Sequence, residues 1–393
     1  MRFRAGFLVL LALIYVISTL VHWAMWRWLK RVAPRWTEKY RRPVLGLAAL
    51  LFVLPMSQAL SLWLPMVSWQ KLASFGLLWH LTVWMGTAGI GLVQLPWRLG
   101  RIFSRKPSET SPVSLERRQA LERIGGAIAF SASGAVLGWG TFRGRYEWAV
   151  EEVPIRLARL PKALDGFTIV QISDLHVGTF IGERELAMGL ELVRGVRADL
   201  IAITGDIVDS DPLYVALAAR HLATLRAREG VVCVPGNHDY YTGARAVLEG
   251  MRQAGVDVLL NRGKVLARAE GGGLAVLGVD DLWARERHGA HGPDLALAKS
   301  TLPPDCATVL LAHQPRFARV AAEAGVDLQL SGHTHGGQIN PGFRVIDLFT
   351  HYVAGRYQLG PTQLYVNRGF GTVGPPARVG APPEITKIVL VAG

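Results

Sequence analysis

Val231-Val232-Cys233-Val234-Pro235-Gly236-Asn237-His238-Asp239 sets an apolar run directly against a polar motif. Four small or β-branched apolar residues closed by Pro-Gly read as a short buried strand. Side chains able to hold a metal or a proton follow at once. The same arrangement recurs along the chain. Thr168–Ile172 leads into Ser173-Asp174, and residues 200–203 lead into Thr204-Gly205-Asp206. Residues 309–312 lead into His313, and residues 328–330 into Ser331-Gly332-His333-Thr334-His335. Helical stretches lie between them, at residues 183–197, 212–228 and 243–254. Alternating strands and helices predict an α/β domain. In such domains the site forms just past the carboxyl ends of the strands.

Each predicted strand end delivers Asp, His or Asn. Asp174 and His176 are two apart, so in an extended turn both side chains reach the same side. Asp206 follows a glycine, which lets the backbone turn sharply. Asn237 and His238 follow Gly236, His313 stands alone, and His333 and His335 form a His-x-His pair. Carboxylate and imidazole ligands without sulfur suit Mn, Fe, Zn or similar divalent ions. There are more ligands than one tetrahedral ion takes and enough for two. Two ions about 3.5–4 Å apart, sharing a carboxylate, recur in phosphatases and nucleases.

Asp174-Leu175-His176, Gly205-Asp206, Gly236-Asn237-His238-Asp239, His313 and Gly332-His333-Thr334-His335 together resemble the calcineurin-like metallophosphoesterase family. The resemblance covers about residues 164–390. Gly336-Gly337-Gln338, Asn367-Arg368-Gly369 and Pro382-Pro383-Glu384 resemble its membrane-anchored or exported bacterial subgroup. The resemblance implies a four-layer α/β/β/α sandwich. It implies one metal on Asp174, His176, Asp206 and His335, and a second on Asp206, Asn237, His313 and His333, with Asp206 bridging. His238 then faces the substrate and assists the leaving oxygen, with Asp239 orienting it. The implied reaction is hydroxide attack on a phosphomonoester, a phosphodiester or a lipid-linked diphosphate. The rival class is a non-catalytic membrane sensor or scaffold that kept the fold; loss of ligands would favour it, and no ligand is lost.

The 393 residues carry 43 Lys/Arg against 30 Asp/Glu. The excess is confined to the first 150 residues, which hold 19 basic and 5 acidic residues and 11 of the 12 tryptophans. The rest is near neutral, with no basic surface of the kind nucleic-acid phosphates need. Four stretches lack Asp, Glu, Lys and Arg: residues 5–26, 44–67, 72–97 and 124–142. Each is near the roughly 20 residues a helix needs to cross a bilayer. These readings divide the chain into a transmembrane helical region (1–142), a polar linker (143–163) and the phosphoesterase domain (164–393). Seven basic residues flank the first pair of runs and seven the last pair, against Arg2, Arg4 and Lys71 on the opposite side. By the positive-inside bias the rich loops are cytoplasmic; four crossings place the catalytic domain outside, and three, without residues 124–142, place it in the cytoplasm. His22 and His80, within the runs, read as packing or interfacial residues.

Several other residues admit two readings each. Asp209, Asp280 and Asp281 read equally as supports for the ligands or as turn and cap residues. Arg368 and Arg378 read as phosphate clamps or surface cations. The loop at residues 283–291 reads as surface, its histidines outside the ligand set. Cys233 reads as an inert core thiol. The apolar run at residues 343–353 reads as core, or as a surface that meets the bilayer or a lipid tail.

Overall fold

The computed structural model describes residues 2–56, 67–103 and 112–393. The chain divides into two units, residues 1–139 and 140–393.

The first unit is helical. It contains α1 (Arg2–Val32), α2 (Pro34–Lys39), α3 (Arg41–Val53), α4 (Val67–Phe103) and most of α5 (Pro112–Phe142). Among the described residues, two helical stretches are long and apolar enough to cross a membrane, Lys71–Pro96 and Glu116–Tyr146. The first covers the third uncharged run up to Pro96, and the second contains the fourth. The second run is helical to Val53 and continues as a 3-10 turn to Met56; residues 57–66 lie outside the described residues. His22 and His80 pack inside this unit: Ser18 Oγ lies 2.5 Å from His80 Nδ1, and His22 Nδ1 donates to the Ser18 carbonyl at 2.8 Å. Both rings lie against Phe52. Glu122 is buried and takes Arg31 at 2.6 Å and Arg118 at 3.0 Å, which compensates a charge that burial alone would disfavour.

The second unit holds two six-stranded mixed sheets. The first comprises β1 (Ala149–Leu157), β2 (Thr168–Ile172), β3 (Leu200–Thr204), β4 (Val231–Val234) and β5 (Asp257–Val258), together with β12 (Glu384–Ala392). The second comprises β6 (Arg262–Ala269), β7 (Gly272–Gly278), β8 (Cys306–Leu311), β9 (Leu328–Ser331), β10 (Gly355–Leu359) and β11 (Thr362–Val366). Their orders are β1-β12-β2-β3-β4-β5 and β10-β11-β9-β8-β7-β6. The site-bearing strands β2, β3 and β4 are parallel, as are β8 and β9. All their carboxyl ends therefore point the same way within each sheet.

Alternation along the strands builds the layers. Ile169, Ala202, Val232 and Val234 face Val276, Val309, Leu311 and Leu330 in a core between the sheets. Val170, Ile172, Ile201, Ile203 and Cys233 face outward onto α6 (Glu183–Gly195), α7 (Val215–Leu222) and, beyond α8 (Asn237–Thr242), α9 (Ala244–Gln253). On the far side, Leu277 and Leu310 pack on α11 (Leu295–Lys299), which follows α10 (Ala284–His288), and on α12 (Ala318–Glu323). This is the α/β/β/α sandwich. Burial pushes the Cys233 thiol up, in keeping with an inert core residue.

Residues 143–163 are not a plain linker. They contain β1, which runs parallel to β12 from Ala149↔Glu384 to Leu157↔Ala392. Glu151, Glu152 and Pro154 give this segment a polar look, and an edge strand tolerates all three. Strand β12 lies between β1 and β2, so it is central although it comes last. A chain cut before Glu384 should leave β1 and β2 without a partner on that side. We expect such a truncation to be found only in the insoluble or degraded fraction when its expression is compared with the full chain.

Candidate metal centre

Five loops converge where the carboxyl ends of the two sheets meet. Backbone bonds tie them in pairs. The Asp174 amide donates to the Gly205 carbonyl and the His176 amide to that of Asp206, both at 3.0 Å. The Gly332 amide donates to the His313 carbonyl at 3.0 Å. The His333 amide reaches across to both Asp174 oxygens at 3.0 Å. Gly205 sits at φ 91°, and a Cβ there would come within 2.7 Å of His313 Nδ1. A Cβ on Gly332 would strike Ser173 and Asp174. Glycine is needed at both places because neighbouring loops pass too close for any side chain.

Eight described non-glycine residues have positive φ, and five of them are Asp174, His176, Asp206, His333 and His335. A left-handed conformation costs a non-glycine residue roughly 1–3 kcal/mol, and such strain gathers at functional sites. Here it turns each side chain sharply off the end of its strand.

Asp206 Oδ2 lies 3.1 Å from His313 Nε2 and 3.7 Å from His176 Nε2. His335 Nε2 is 3.4 Å from Asp174 Oδ1 and 3.1 Å from His176 Nε2. His333 Nδ1 is 3.2 Å from His313 Nε2. The donor atoms form three overlapping groups: Asp174, His176 and His335; His176, Asp206 and His238; Asp206, His313 and His333. Nitrogens that face one another at such distances need a cation or a proton between them. Asn237 Oδ1 is buried without a hydrogen-bond donor among the described residues. A carboxylate, imidazole and amide-oxygen set with an orphaned oxygen fits a divalent cation.

The electrostatics follow from that crowding. Burial alone would raise the Asp206 carboxyl, but His313 and His238 hold it well below the usual carboxylate range. Asp174 behaves likewise, burial opposed by His335. Burial lowers His313, yet Asp206 more than restores the proton and pushes it up to about 10. Burial and then His313 hold His333 down at about 3. His313 Nδ1 donates to the Thr204 carbonyl at 2.8 Å, so its Nε2 is the nitrogen that faces Asp206.

Asp239 does not orient His238. Its Oδ1 accepts the Ile207 amide at 2.9 Å and the Val208 amide at 3.1 Å, and its Oδ2 accepts the Gly236 amide at 2.9 Å. Its short side chain is consumed in holding two loops together. Burial and then Asp206 push it up to about 7. The carboxylate that touches His238 is Asp209: His238 Nδ1 lies 2.8 Å from its carbonyl and 3.1 Å from its Oδ1. Asp209 Oδ1 is also 3.5 Å from His176 Nδ1. The only sequence signal for this role was its position three residues after Asp206.

Neither arginine is a free phosphate clamp. Arg378 is fully buried, and its guanidinium donates to the carbonyls of His335 (2.9 Å), Arg368 (2.7 Å) and Gly369 (3.2 Å). Arg368 is paired with Glu384 at 2.9 Å and Glu151 at 2.8 Å. Asp280 accepts from the Tyr240 hydroxyl at 2.6 Å. Asp281 accepts from the Trp283 amide at 2.8 Å, which fixes a loop whose indole lies 5.2 Å from the His333 ring. The loop read as surface thus contributes one wall to the site.

The family model of calcineurin-like phosphoesterases matches residues 167–337. A transmembrane protein with metallophosphoesterase domain from Danio rerio is 32% identical over 301 residues, 75% of this chain and 68% of that protein. The uncharacterized metallophosphoesterase YkuE of Bacillus subtilis (strain 168) is 35% identical over 285 residues, 70% of this chain and 98% of that protein. An uncharacterized metallophosphoesterase of Helicobacter pylori (strain ATCC 700392 / 26695) is 36% identical over 262 residues, 65% of this chain and 68% of that protein. The fold is that of a metallophosphoesterase domain, and its buried Asp/His clusters are candidate metal sites. The chain belongs to the calcineurin-like metallophosphoesterase family.

Two outcomes follow from this geometry. Arg378→Met should leave several buried carbonyls without donors, each worth about 1–3 kcal/mol; Arg378→Lys should recover little, since an ammonium cannot replace a five-donor fork. Chemical denaturation of the purified variants measures both. Separately, His313 carries a proton near neutral pH in the field of the protein alone. Divalent-ion binding should therefore release about one proton per His313 engaged. Titration calorimetry in buffers of different ionisation enthalpy should show a buffer-dependent heat.

Proposed function

We propose that this chain is a membrane-anchored phosphoesterase that works with two divalent ions and hydrolyses a phosphomonoester, a phosphodiester or a lipid-linked diphosphate. The observation that carries the reading is Asp206 Oδ2, placed between the histidine groups on its two sides. Asp174, His176, Asp206 and His335 would hold one ion; Asp206, Asn237, His313 and His333 the other. Such a pair supplies positive charge against the phosphoryl oxygens and lowers the pKa of adjacent water.

The chain's own part in turnover falls to His238. Its Nδ1 is engaged by Asp209, which leaves Nε2 for the substrate. Burial would lower its pKa; Asp206 and then Asp209 push it up to about 9. A histidine held protonated at neutral pH is suited to donate to the leaving oxygen. General-acid assistance is typically worth about 10²–10⁴-fold. Asp209 positions the ring and supports its charge, and Asp239 holds the loops that carry Asp206 and Asn237.

The two long apolar helical stretches and the relatives named as transmembrane proteins support a membrane anchor. The basic loop census supports an extracytoplasmic catalytic domain.

Activity on a panel of phosphate mono- and diesters should vanish with a strong chelator and return with Mn²⁺ or a related ion. Asp206→Ala should lose both metal and turnover, whereas His238→Ala should keep the metal and lose about 10²–10⁴-fold in kcat. The loss should be largest for poor leaving groups. Full activity of metal-free protein would overturn the proposal.

His238 is raised, so its acid role is present below its folded pKa and lost as pH climbs through it. Asp209→Asn removes one source of that elevation. The alkaline limb of the kcat profile, measured at saturating divalent ion, should move to lower pH in this variant. For topology, protease added to intact spheroplasts should digest the catalytic domain; protection until lysis would place it in the cytoplasm.

A further inference from the structure

The segment after the His333–His335 turn exposes its apolar side chains. It contains a 3-10 turn, Val345–Leu348. Phe343 is 65% exposed, Val345 44%, Leu348 78% and Phe349 81%. Core packing is therefore excluded for these four. Four large apolar side chains exposed within seven residues are the kind of surface that marks an interaction site. The two charged residues inside it, Arg344 and Asp347, pair at 3.0 Å and cancel each other's formal charge.

The segment is fixed to the site at its middle and at its far end. Ile346 Cγ2 lies 3.0 Å from the place a Cβ on Gly337 would occupy. The Thr334 hydroxyl donates to the Val353 carbonyl at 2.5 Å. So the position of the patch is tied to that of His333 and His335.

Its location supplies the second observation. The Asn340 amide donates to the Val379 carbonyl at 2.8 Å, and the Val379 amide to that of Gln338 at 2.9 Å. One residue earlier, the Arg378 amide donates to the Gly140 carbonyl at 3.1 Å. Gly140 lies in the last turn of α5. A Cβ there would meet the Arg378 carbonyl and Val379 Cγ2, both at 2.7 Å. The end of the apolar helix, the Arg378–Val379 strip and the root of the exposed segment are thus laid side by side. Phe142, the last residue of α5, is itself 81% exposed. A bilayer's headgroup layer is only about 5–8 Å thick on each side.

We propose that Phe343, Val345, Leu348 and Phe349, with Phe142, form a bilayer-contact surface that sets the metal turn at headgroup level, so that the site takes phosphoesters whose organic part stays in the lipid. The substrate half of this proposal rests on the phosphoesterase reading; the contact half does not. The occupant is the bilayer because the patch is rooted beside the end of an apolar helix long enough to cross one. Its self-cancelled charges suit a wet–apolar boundary.

The test uses the full chain in phosphatidylcholine/phosphatidylglycerol vesicles. Cys233 and Cys306 are both buried, so a thiol-reactive nitrobenzoxadiazole label goes to an introduced Leu348→Cys. The control is Glu270→Cys, at the turn between β6 and β7, the opposite end of β7 from the site. Lipid carrying a nitroxide high on its acyl chain should quench the Leu348 label at least twofold more than the control label, and aqueous iodide should do the reverse. Equal iodide quenching at both positions would overturn the proposal. So would a Leu348 label shielded from iodide and lipid alike, which would mean a protein partner or a second copy covers the patch.

A second arm reads turnover. The triple variant Phe343→Ser, Leu348→Ser, Phe349→Ser should stay within twofold of the parent on a water-soluble aryl phosphoester. On a phosphoester held in vesicles it should lose at least tenfold. Equal rates of parent and variant on vesicles, or equal losses on both substrates, would overturn the proposal. A parent inactive on both substrates would defeat the phosphoesterase reading instead, and the quenching arm would still decide membrane contact.

Discussion

Asp206 places a buried carboxylate at the seam between two sheets, and the histidines around it exist in a fixed arrangement because of that charge. Its Oδ1 accepts the His238 amide at 2.8 Å, while its Oδ2 faces His313 and His176. A carboxylate this deep is tolerated only if every lone pair has a partner. The loops after β2, β4 and β8 each contribute one. The positive-φ turns at Asp174, His176, Asp206, His333 and His335 are the backbone's side of the same requirement. Strand direction alone would carry these side chains past one another. The sandwich supplies the rigidity that keeps five strained turns in register.

The ligand set was legible because it obeys a simple rule. A strand buried on both faces is a continuous apolar run, so the first Asp, His or Asn after it stands out against a Val/Ile/Leu background. Asp174, Asp206, Asn237, His313 and His333 follow that rule, and among them Asp174, Asp206, His313 and His333 fall in the buried Asp/His groups. Residues that act through a second residue follow no such rule. Asp239 directly follows His238, and Asp209 stands three residues after Asp206. Only the three-dimensional path of the loops shows that Asp209 meets His238 while Asp239 is taken up by amides. Arg378 was equally opaque. A glycine- and proline-rich neighbourhood reads as surface, yet here it wraps its own carbonyls around a buried guanidinium.

Segment boundaries were misread for a related reason. Glu151, Glu152 and Pro154 make β1 look like a tether, because edge strands show one polar face and lack a strong apolar run. The sheet order was also beyond sequence: that β12 sits between β1 and β2 depends on a pairing between the two ends of the domain. In the helical unit, length and apolarity were readable from the absence of charge. The inward packing of His22 and His80 on Ser18 and Phe52 depends on which helix faces meet, and periodicity alone does not settle that.

The pairing of β1 with β12 has a kinetic side. Ala149 and Glu384 are about 235 residues apart, so this contact closes a very long loop. Non-local pairings of this kind are made late and slow folding. Until β12 arrives, β2 presents an unpaired apolar edge, the feature most prone to templating other chains. Assembly of the first sheet therefore has a vulnerable interval whose length is set by how soon residues up to Ala392 become available. During that interval a chaperone or protease has an open edge to recognise, and afterwards it has none there. The same strand that finishes the architecture also marks when the protein stops being a target for quality control.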